Sequence, residues 1–431
     1  MSSAEFAPVP RILRPTSWMI WVIALIVFAL IWQFARPAAG WAFDYPKDWT
    51  IPAARWISQF MKWLLDEATF GLFTFREFTR FISAVIDFPY RIVLSLLSTG
   101  LLSGQGSSAQ QILPPISWIA VIAIFGLMGY FAEGRRLALL VTACLLFVLL
   151  FGQWSSAMVT LASILVAVPI GVVLGLLLGV AAYRWRWVER ALQPVLDLMQ
   201  TIPVFAYLVP ILFMFGFGPT AAVVATVIYA MPPMTRITLM ALHRVPAEIR
   251  DLGRMIGCTR TQLTWRVLVP TAQDALMVGV NQVIMLSLNM VIIASMIGAG
   301  GLGFDVLAAL RRLDFGAGLE AGLAIVALAI ALDRLSQAFV RRPASESPEG
   351  GWPRRHPYLL AGLATVVIAG LAGLILPALQ SYPESWQLST GEFWSNVVKW
   401  ININYFDTLE AIKNFFLLNL LIPFKRFLVD L

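Results

Sequence analysis

Charged side chains are concentrated in one stretch of the chain, residues 248–270, whose sequence is EIRDLGRMIGCTRTQLTWRVLVP. Its charged residues are Glu248, Arg250, Asp251, Arg254, Arg260 and Arg266, and long apolar runs flank it on both sides. A bilayer-spanning bundle gains nothing from a basic amphipathic helix between two spans. We therefore expect this helix to bind a partner in the cytoplasm. The alternative is a juxtamembrane helix that rests on anionic lipid.

The sequence contains no recognisable motif of catalytic or metal-binding residues. The chain has no G-x-x-x-x-G-K-[ST] loop for ATP phosphates and no H-E-x-x-H zinc motif. Its two histidines, His243 and His356, suggest no nucleophile–base pair, and Cys144 and Cys258 are unlikely partners for a disulfide because one lies in an apolar run and the other in the charged helix. We expect a protein that is not an enzyme and that holds no metal or cofactor itself.

The composition is that of a membrane protein, with 59% hydrophobic and 13% charged residues and a mean hydropathy of +0.79. The net charge is +7. Basic patches with interleaved aromatics are not evident, so the basic residues indicate the orientation in the membrane and not the binding of nucleic acid. Runs of about twenty apolar residues predict helical spans. They lie at 17–35, 113–131, 137–153, 155–182, 195–216, 219–241, 270–297, 318–340 and 357–377.

The distribution of arginines predicts one orientation. If the N-terminus is cytoplasmic, Arg11, Arg14, Arg135, Arg136, Arg184, Arg186, Arg190, the 244–266 helix and Arg341–Arg355 all fall on the cytoplasmic side. Arg311 and Arg312, on an outer loop, are the clearest exception.

Small and helix-breaking residues indicate how the spans pack. Gly171, Gly175 and Gly179 form two G-x-x-x-G steps, which favour packing within the chain over a homodimer seam. Prolines and glycines interrupt the spans at 195–241, which points to a pathway or to irregular packing. Amides and a hydroxyl within 270–297 either join helices or contact cargo: Asn281, Gln282, Ser287 and Asn289. The glycines of IGAGGLG (Gly298, Gly300, Gly301 and Gly303) predict an outer turn, which is a gate or a plain loop.

The chain divides into four parts by this reading. Residues 1–112 hold a first span and an outer amphipathic scaffold, in which 53–66 is expected to lie in the membrane interface. Residues 113–340 form the transmembrane core with the charged helix at 244–266, and 341–356 form a cytoplasmic linker. Residues 357–431 repeat the N-terminal pattern.

The repeat follows a constant spacing. At an offset of 337, Tyr382, Pro383, Trp386, Lys399 and Trp400 fall on Tyr45, Pro46, Trp49, Lys62 and Trp63. After a three-residue gap, Thr408, Phe415, Pro423 and Lys425 fall on Thr74, Phe81, Pro89 and Arg91. We expect one complete unit followed by the opening of a second, as a truncated tandem protein or as a vestigial tail.

The spacing within 248–270 resembles the coupling motif of ABC-importer permeases. Asp251-Leu252-Gly253 occupies the E-A-A place, Gly257 follows after three residues, and Val267-Leu268-Val269-Pro270 closes the motif. Residues 201–238 and 281–307 are similar to segments of the glycine betaine/proline osmoprotectant permeases, which have relatives for choline and trimethylamine N-oxide. The resemblance covers about residues 90–340.

This resemblance implies an all-α polytopic protein with a type I ABC-importer-like permease bundle in the bacterial inner membrane. It implies a cytoplasmic ATPase dimer that holds ATP and Mg²⁺, an outer substrate-binding protein, and a second permease copy, either as a homodimer or as a tandem half. The ATPase-coupling residues would be Asp251, Gly253, Gly257, Arg260 and Pro270. The cargo would be a small methylated ammonium or amine-oxide zwitterion, for which aromatic faces are suitable contacts. Pathway candidates are Phe205, Tyr207, Tyr229, Asn281, Gln282 and Asn289.

Two other classes of protein stay open. A secondary transporter or channel that needs no ATPase would require ionisable coupling residues within the membrane. The runs at 113–241 and 270–297 hold almost none, apart from Arg236 and Asp274 near helix ends. A membrane scaffold that transports nothing would not need a coupling helix.

Overall fold

The computed structural model describes residues 18, 21–28, 51–69, 71, 73–103, 110–341, 357–375, 377–380 and 382–430. By contacts the chain divides into two compact units, one of residues 61–398 and one of residues 1–60 together with 399–431. Most of the described chain is helical. The one sheet within it is an antiparallel hairpin of β1 (Leu101–Ser103) and β2 (Gln110–Leu113), in which Leu101 pairs with Leu113 and Ser103 with Gln110.

The helices follow in this order. They are α1 (Ala53–Asp66), α2 (Phe75–Leu94), α3 (Trp118–Glu133), α4 (Arg135–Leu150), α5 (Trp154–Arg184), α6 (Arg186–Thr201), α7 (Val204–Phe215), α8 (Pro219–Arg244), α9 (Ala247–Met255), α10 (Arg260–Gln262), α11 (Val269–Thr271), α12 (Gln273–Ala294), α13 (Leu302–Arg312), α14 (Phe315–Arg341), α15 (Pro357–Ile375), α16 (Pro377–Gln380), α17 (Gly391–Asn404), α18 (Phe406–Phe416) and α19 (Ile422–Asp430). π-helical turns extend α2 over Ser95–Thr99 and α12 over Ser295–Ala299, and link α10 to α11 over Leu263–Leu268 and α18 to α19 over Leu417–Leu421.

Five helices of the described chain are long and apolar enough to cross a membrane. They are Phe75–Thr99, Trp154–Arg184, Pro219–Arg244, Gln273–Ala294 and Phe315–Val340. Four of these confirm predicted spans, at 155–182, 219–241, 270–297 and 318–340. Three more predicted spans, at 113–131, 137–153 and 357–377, correspond to the shorter helices α3, α4 and α15. Of the predicted span 17–35, only residue 18 and residues 21–28 are described, and they are helical.

The predicted span at 195–216 is broken into two helices, in agreement with the prediction that prolines and glycines interrupt the spans at 195–241. The segment breaks at Ile202–Pro203, and the axes of α6 and α7 meet at 106°. Ile202 has extended backbone angles because the ring of the following proline disfavours the α region at the preceding residue. α6 is amphipathic, with Arg186, Glu189 and Arg190 in its first turns, so the apolar run begins only at α7.

The helix at Phe75–Thr99 was expected to be part of an amphipathic scaffold. Ile86 and Tyr90 are buried in one cluster with residues 162–167 of α5, 208–211 of α7 and 221–227 of α8. A separate cluster that includes Leu242 and Leu268 contains no residue of α2. α2 is apolar enough to span and yet contacts only one half of the core.

Helix α5 is the centre of the bundle, and its glycines set the distance to its neighbours. A β-carbon at Gly175 would lie 2.6 Å from Cβ of Met234, and one at Gly179 would lie 2.5 Å from Cβ of Thr238. Both neighbours belong to α8. The prediction that these G-x-x-x-G steps pack within the chain is confirmed.

A second layer is built from α3, α4 and α14. Val121, Val141, Leu145 and Leu328 are buried between these helices and join Leu161 of α5. Helix α15 packs along α3. This layer places the predicted repeat next to the core, since α15 leads into residues 377–398.

The predicted interfacial helix at 53–66 is present as α1, with the predicted bounds. Trp56 and Phe60, from its apolar face, are more than half exposed. In the same unit, α18 and α19 bury none of their described side chains.

Candidate functional site

The charged segment at 244–266 consists of two arms joined by a turn, and Gly257, whose place in the motif allowed such a turn, lies in it. Helix α9 ends at Met255, and Gly257 has φ of +79° in the turn that follows. Thr259 then begins the second arm with a reciprocal cap, in which its Oγ1 accepts from the amide of Gln262 and its own amide donates to Oε1 of Gln262. The physical reason is that only glycine adopts this backbone conformation without cost, so the helix stops there.

The two arms pack against each other at Gly253. A β-carbon at this position would lie 2.6 Å from Cδ1 of Leu263, so the second arm closes directly over the first. Gly257, in contrast, has no atom within 4 Å of a built β-carbon. The two predicted coupling glycines therefore have different roles, since Gly253 permits close packing and Gly257 permits the turn.

The other predicted coupling residues lie at the surface. Asp251 forms an exposed ion pair with Arg254 at 3.4 Å on α9. Arg260 is exposed in the second arm, and Pro270 lies in the short α11 that leads into α12. Pro270 tolerates this place because a residue in a first helical turn has no intrahelical acceptor for its amide.

Sequence reasoning missed an apolar knob on α9, formed by Leu252, Met255 and Ile256. Their exposed fractions are 59%, 84% and 70%. At 3.6 residues per turn they share one face of α9, nearly opposite Arg250 and Arg254. The i, i+3, i+4 spacing was the available signal. A soluble surface helix seldom leaves three large apolar side chains together in water unless a partner covers them.

The two arms together, residues 247–271, are named the coupling segment after their predicted role. Arg250 and Arg254 face a basic cavity of about 830 Å³ between this segment and the junction of α5 with α6. Its lining includes Arg184, Arg186, Arg250, Arg254 and Arg260, with Glu189 as the one carboxylate among the residues that line it. Arg184 donates to Oγ1 of Thr261 at 3.3 Å and so ties the end of α5 to the second arm. The arms are attached to the transmembrane helices by this hydrogen bond and by the apolar side chains Ile249 and Leu268, which pack in the core, and the knob faces outward.

The predicted pathway residues of α12 are divided between two faces. Oδ1 of Asn281 accepts from Oγ of Ser336 at 2.8 Å, which joins α12 to α14. Gln282 and Asn289 lie on a different, exposed face together with Val278 and Met285. Ser287 is fully buried and its hydroxyl has no partner among the described residues. Of the predicted strip, only Gln282 and Asn289 share an open surface.

Two of the three predicted aromatic candidates, Tyr207 and Tyr229, pack against the same apolar cluster, and Phe205 does not. The Tyr207 hydroxyl donates to the carbonyl oxygens of Ile202, at 3.0 Å, and Met199, so this side chain holds the α6–α7 bend. Phe205 is 58% exposed on α7, and Tyr229 is half-buried on α8. Phe205 shares its exposed face with Val209 and Phe213, at helical spacing.

The glycines predicted as a gate form a tightly packed corner between α12 and α13. Gly298, Gly300 and Gly301 have φ between +72° and +97°. The amide of Leu302 donates to Oγ1 of Thr160 at 3.0 Å, and a β-carbon at Gly301 would lie 2.5 Å from the same oxygen. Gly303 is helical, and a β-carbon there would lie 2.6 Å from the carbonyl oxygen of Ile292. The corner is therefore fixed to α5 and is more ordered than a plain loop.

One further ion pair connects the helices near the basic cavity. Arg236 of α8 binds Asp197 of α6 and so holds the amphipathic helix against the core. Arg236 was noted as one of few charges within the apolar runs, and its partner accounts for it.

Comparison with known proteins gives a consistent result. Residues 171–345 match the family described as binding-protein-dependent transport system inner membrane component. The chain is 36% identical to the trimethylamine N-oxide transport system permease protein TmoV of Pelagibacter ubique, over 81% of this chain and 50% of that protein. It is 37% identical to the glycine betaine transport system permease protein OpuAB of Bacillus subtilis, over 67% of this chain and 94% of that protein. It is 36% identical to the glycine betaine/proline betaine permease protein ProW of Escherichia coli, over 68% of this chain and 76% of that protein.

Among solved structures, the inward-facing MetNI methionine ABC transporter matches with a TM-score of 0.40 and 24% identity, over 46% of this chain and 96% of that one. The chain spans about half the length of the TmoV relatives. OpuAB and ProW are covered over most of their length at more than a third identity, and the coupling segment lies within the matched region. The resemblance predicted from the motif is thus confirmed, and the chain belongs to the family of inner-membrane ABC permeases that contains the glycine betaine and trimethylamine N-oxide permeases.

Proposed function

We propose that the chain is the membrane-spanning permease of an ATP-driven importer for a small methylated ammonium or amine-oxide solute, of the glycine betaine, choline or trimethylamine N-oxide type. The observation that carries this proposal is the two-armed coupling segment, with its apolar knob turned away from the transmembrane helices. A permease that does not bind ATP needs a docking surface through which the conformational changes of a separate ATPase are transmitted to it.

The partners of the proposal are a cytoplasmic ATPase dimer, which holds ATP and Mg²⁺, an outer substrate-binding protein and a second permease core. Leu252, Met255 and Ile256 would enter a groove of the ATPase, and Asp251 and Arg260 would lie at the rim of that contact. Gly253 and Gly257 would set the shape of the arms, and Pro270 would set the start of α12. Apolar knobs in pockets with charged rims are the usual anatomy of protein interfaces.

The pathway in this proposal follows the exposed face of α12. Gln282 and Asn289 are two turns apart on this face, within a helix apolar enough to span the bilayer. Exposed amides are costly in lipid, and intramembrane polar residues usually face a bundle interior or a cavity. A second core that covers this face would enclose both amides. Phe205 and Tyr229 remain candidates for contact with the cationic group of the solute, and the corner at Gly298–Gly303 remains the candidate gate.

The orientation is part of the proposal. With the N-terminus cytoplasmic, the coupling segment and the basic cavity face the cytoplasm, and the corner at Gly298–Gly303 faces the outside. The secondary-transporter alternative has little support, because Arg236 is already paired with Asp197 and so is not a free coupling charge.

Reconstitution tests this function. The permease would be placed in liposomes with its ATPase and binding protein, and uptake of labelled glycine betaine, choline and trimethylamine N-oxide would be measured with and without ATP. ATP-dependent uptake of one of these solutes is expected. Uptake that proceeds at the same rate without ATPase or nucleotide would overturn the proposal in favour of a secondary transporter or channel.

A further inference from the structure

The sequence repeat has a structural counterpart. α1 and α17 are both 14 residues long, and their bounds, Ala53–Asp66 and Gly391–Asn404, agree with the offset of 337 to within one residue. Each is followed by further helix in which a proline recurs at the matching place, Pro89 in α2 and Pro423 in α19. Each copy of the repeat therefore has a head, which ends in the 14-residue helix, and a tail, which follows it.

The head of the second copy, residues 377–398, is bound to one face of this permease core. We name that face the rim; it consists of the N-terminal ends of α3 and α14 and the C-terminal end of α4. The contacts to the rim are Ser117 to the carbonyl of Leu379, Gln380 to the carbonyl of Pro115, Tyr382 against Trp118 at 5.6 Å, Leu388 to the carbonyl of Leu150 at 2.7 Å, and the amide of Gly316 to Oγ of Ser395 at 3.1 Å.

A buried carboxylate completes this attachment. Glu320 of α14 is 7% exposed and accepts from both the amide and the Oγ1 of Thr390, the latter at 2.9 Å. Burial of a carboxylate is costly unless it is hydrogen-bonded. The head therefore satisfies a group that the core could not otherwise bury, which makes the rim a built site for a head.

The tail of the first copy is bound to a different face of the same core. Helix α2 and its π turn pack against α5, α7 and α8 with the side chains Ile82, Ile86, Tyr90, Val93, Leu94 and Leu97. Oγ1 of Thr220 also donates to Asp87 of α2 at 3.4 Å. One core thus receives the head of one copy and the tail of the other.

The tail of the second copy has the same apolar positions, and none of those that the structure describes is buried. At the offset of 334, the six packed residues of α2 correspond to Phe416, Leu420, Phe424, Phe427, Leu428 and Leu431, all large and apolar. Leu420 and Phe424, which match the buried Ile86 and Tyr90, are 62% and 60% exposed. A helix that only rested on lipid would need an apolar face but not these six positions.

We propose that each copy of the repeat is a strap between two permease cores, with its head on the rim of one core and its tail on the α5–α7–α8 face of the other. The second copy then places its tail on a second core homologous to residues 118–341, and the first copy places its head, whose described part contains Ile51 and Ser58, on the rim of that core. The arrangement closes on itself, because two straps and two cores leave no head, tail or receiving face unfilled. It rests on the proposed pairing of two permease cores.

Photo-crosslinking in the membranes of the cell that makes the chain tests the strap. The aromatic photoprobe p-benzoylphenylalanine would replace Phe424 or Ile51 in the full chain, and crosslinked peptides would be identified by mass spectrometry. We expect the probe at 424 to capture the segment of a second core that corresponds to α5, α7 or α8. Ile51 corresponds to Leu388, so the probe at 51 should capture the segment that corresponds to Leu150.

Two matched positions calibrate the result. The probe at Tyr382 should capture Trp118 of its own chain. The probe at Arg426, which corresponds to the 45% exposed Ile92 of α2, should give much less protein adduct than the probe at 424. If the Tyr382 control works, three results at positions 51 and 424 would overturn the strap. They are adducts to lipid only, adducts to the same core, and adducts to an unrelated protein.

The mass of the detergent-solubilised complex separates a failure of the strap from a failure of the proposed function. If two cores pair, as judged by the mass of the detergent-solubilised complex, but no strap adduct forms, then the strap fails and the proposed function survives. If no second core is found in the complex, both fail. A second core within one longer polypeptide gives an adduct with no added chain, and a separate chain gives a sum of two masses, so the experiment also shows how the second core is supplied.

Discussion

Gly179 and Thr238 are in such close contact that a β-carbon at Gly179 would lie 2.5 Å from Cβ of Thr238 and 2.8 Å from the carbonyl oxygen of Thr235. One of these neighbours is backbone, so the contact cannot relax by a change of side-chain rotamer. This contact fixes the spacing of α5 and α8. Helix α8 leads into the first arm and Arg184 at the end of α5 donates to Thr261 of the second arm, so a change at Gly179 should also affect the coupling segment.

Gly179→Ala should therefore destabilise the bundle by about 1–3 kcal/mol, the usual range for overpacking. Gly322→Ala is the matched control, because a β-carbon at Gly322 of α14 would meet no atom within 4 Å. Thermal unfolding of the purified chain in detergent should show a lower midpoint for Gly179→Ala than for the unchanged chain. The midpoint of Gly322→Ala should not be lowered. Equal midpoints for the two variants would contradict the packing at Gly179.

The apolar knob on α9 gives the most direct test of coupling. Met255→Asp places a charge at a side chain that is 84% exposed in the permease alone, so insertion and unfolding temperature should not change. Affinity for the ATPase should fall by at least about tenfold, because central apolar residues dominate interface energies. Binding of the purified ATPase to the permease in nanodiscs measures this.

Ala247→Asp is the control for charge on the same helix. Ala247 is exposed on the first turn of α9, away from the knob, where an acidic residue suits the helix dipole. This variant should bind the ATPase as the unchanged chain does. Loss of binding in both variants would point to charge in general and not to the knob.

The turn at Gly257 is a conformational requirement, since φ is +79° and no atom crowds the site. Gly257→Asn should keep coupling, because asparagine adopts left-handed backbone angles readily. Gly257→Val should cost about 1–2 kcal/mol or more in the left-handed conformation and so displace the second arm. The measurement is solute transported per ATP hydrolysed, which should fall for valine and not for asparagine. Normal coupling in the valine variant would show that the turn is dispensable.

The attachment of the second head through Glu320 is also open to test. Glu320→Ala leaves the amide and hydroxyl of Thr390 without their acceptor, so residues 382–398 should detach from the rim more often. Limited proteolysis should cut this segment faster in Glu320→Ala than in Glu320→Gln, which keeps an acceptor oxygen. Equal cleavage rates would show that Glu320 does not hold the head.

Composition and local pattern were sufficient for much of this fold. The apolar runs predicted the long helices, because the thickness of the bilayer sets the length of a span. The glycine spacing on α5 predicted contacts within the chain, because small residues let membrane helices pack closely. The interruption near Pro203 was predicted, because prolines and glycines interrupt the apolar runs at 195–241. The sharp bend of 106° was not predicted, because a window of about twenty residues averages over one bend.

Other features depend on tertiary contacts that no local pattern encodes. Asn281 and Gln282 are neighbours in sequence, but only the partner Ser336 on α14 decides which of them is tied to another helix. Likewise, Tyr207 was a reasonable aromatic candidate until the bend brought the carbonyl groups of Met199 and Ile202 to its hydroxyl. Side-chain type alone could not separate structural from pathway roles.

Asn281 and Gln282 should accordingly respond to substitution in opposite ways. Asn281→Leu leaves the Ser336 hydroxyl without its acceptor, which costs about 0.6–1.7 kcal/mol for a hydrogen bond between membrane helices. Gln282→Leu breaks no described hydrogen bond but removes an amide from the exposed face of α12 that we assign to the pathway. The first variant should unfold at lower temperature, and the second should transport more slowly at an unchanged unfolding temperature. Val326→Leu on α14, at a side chain that is 52% exposed, is the control and should change neither property. If Gln282→Leu takes up solute as fast as the Val326→Leu control, the exposed face of α12 does not line the pathway.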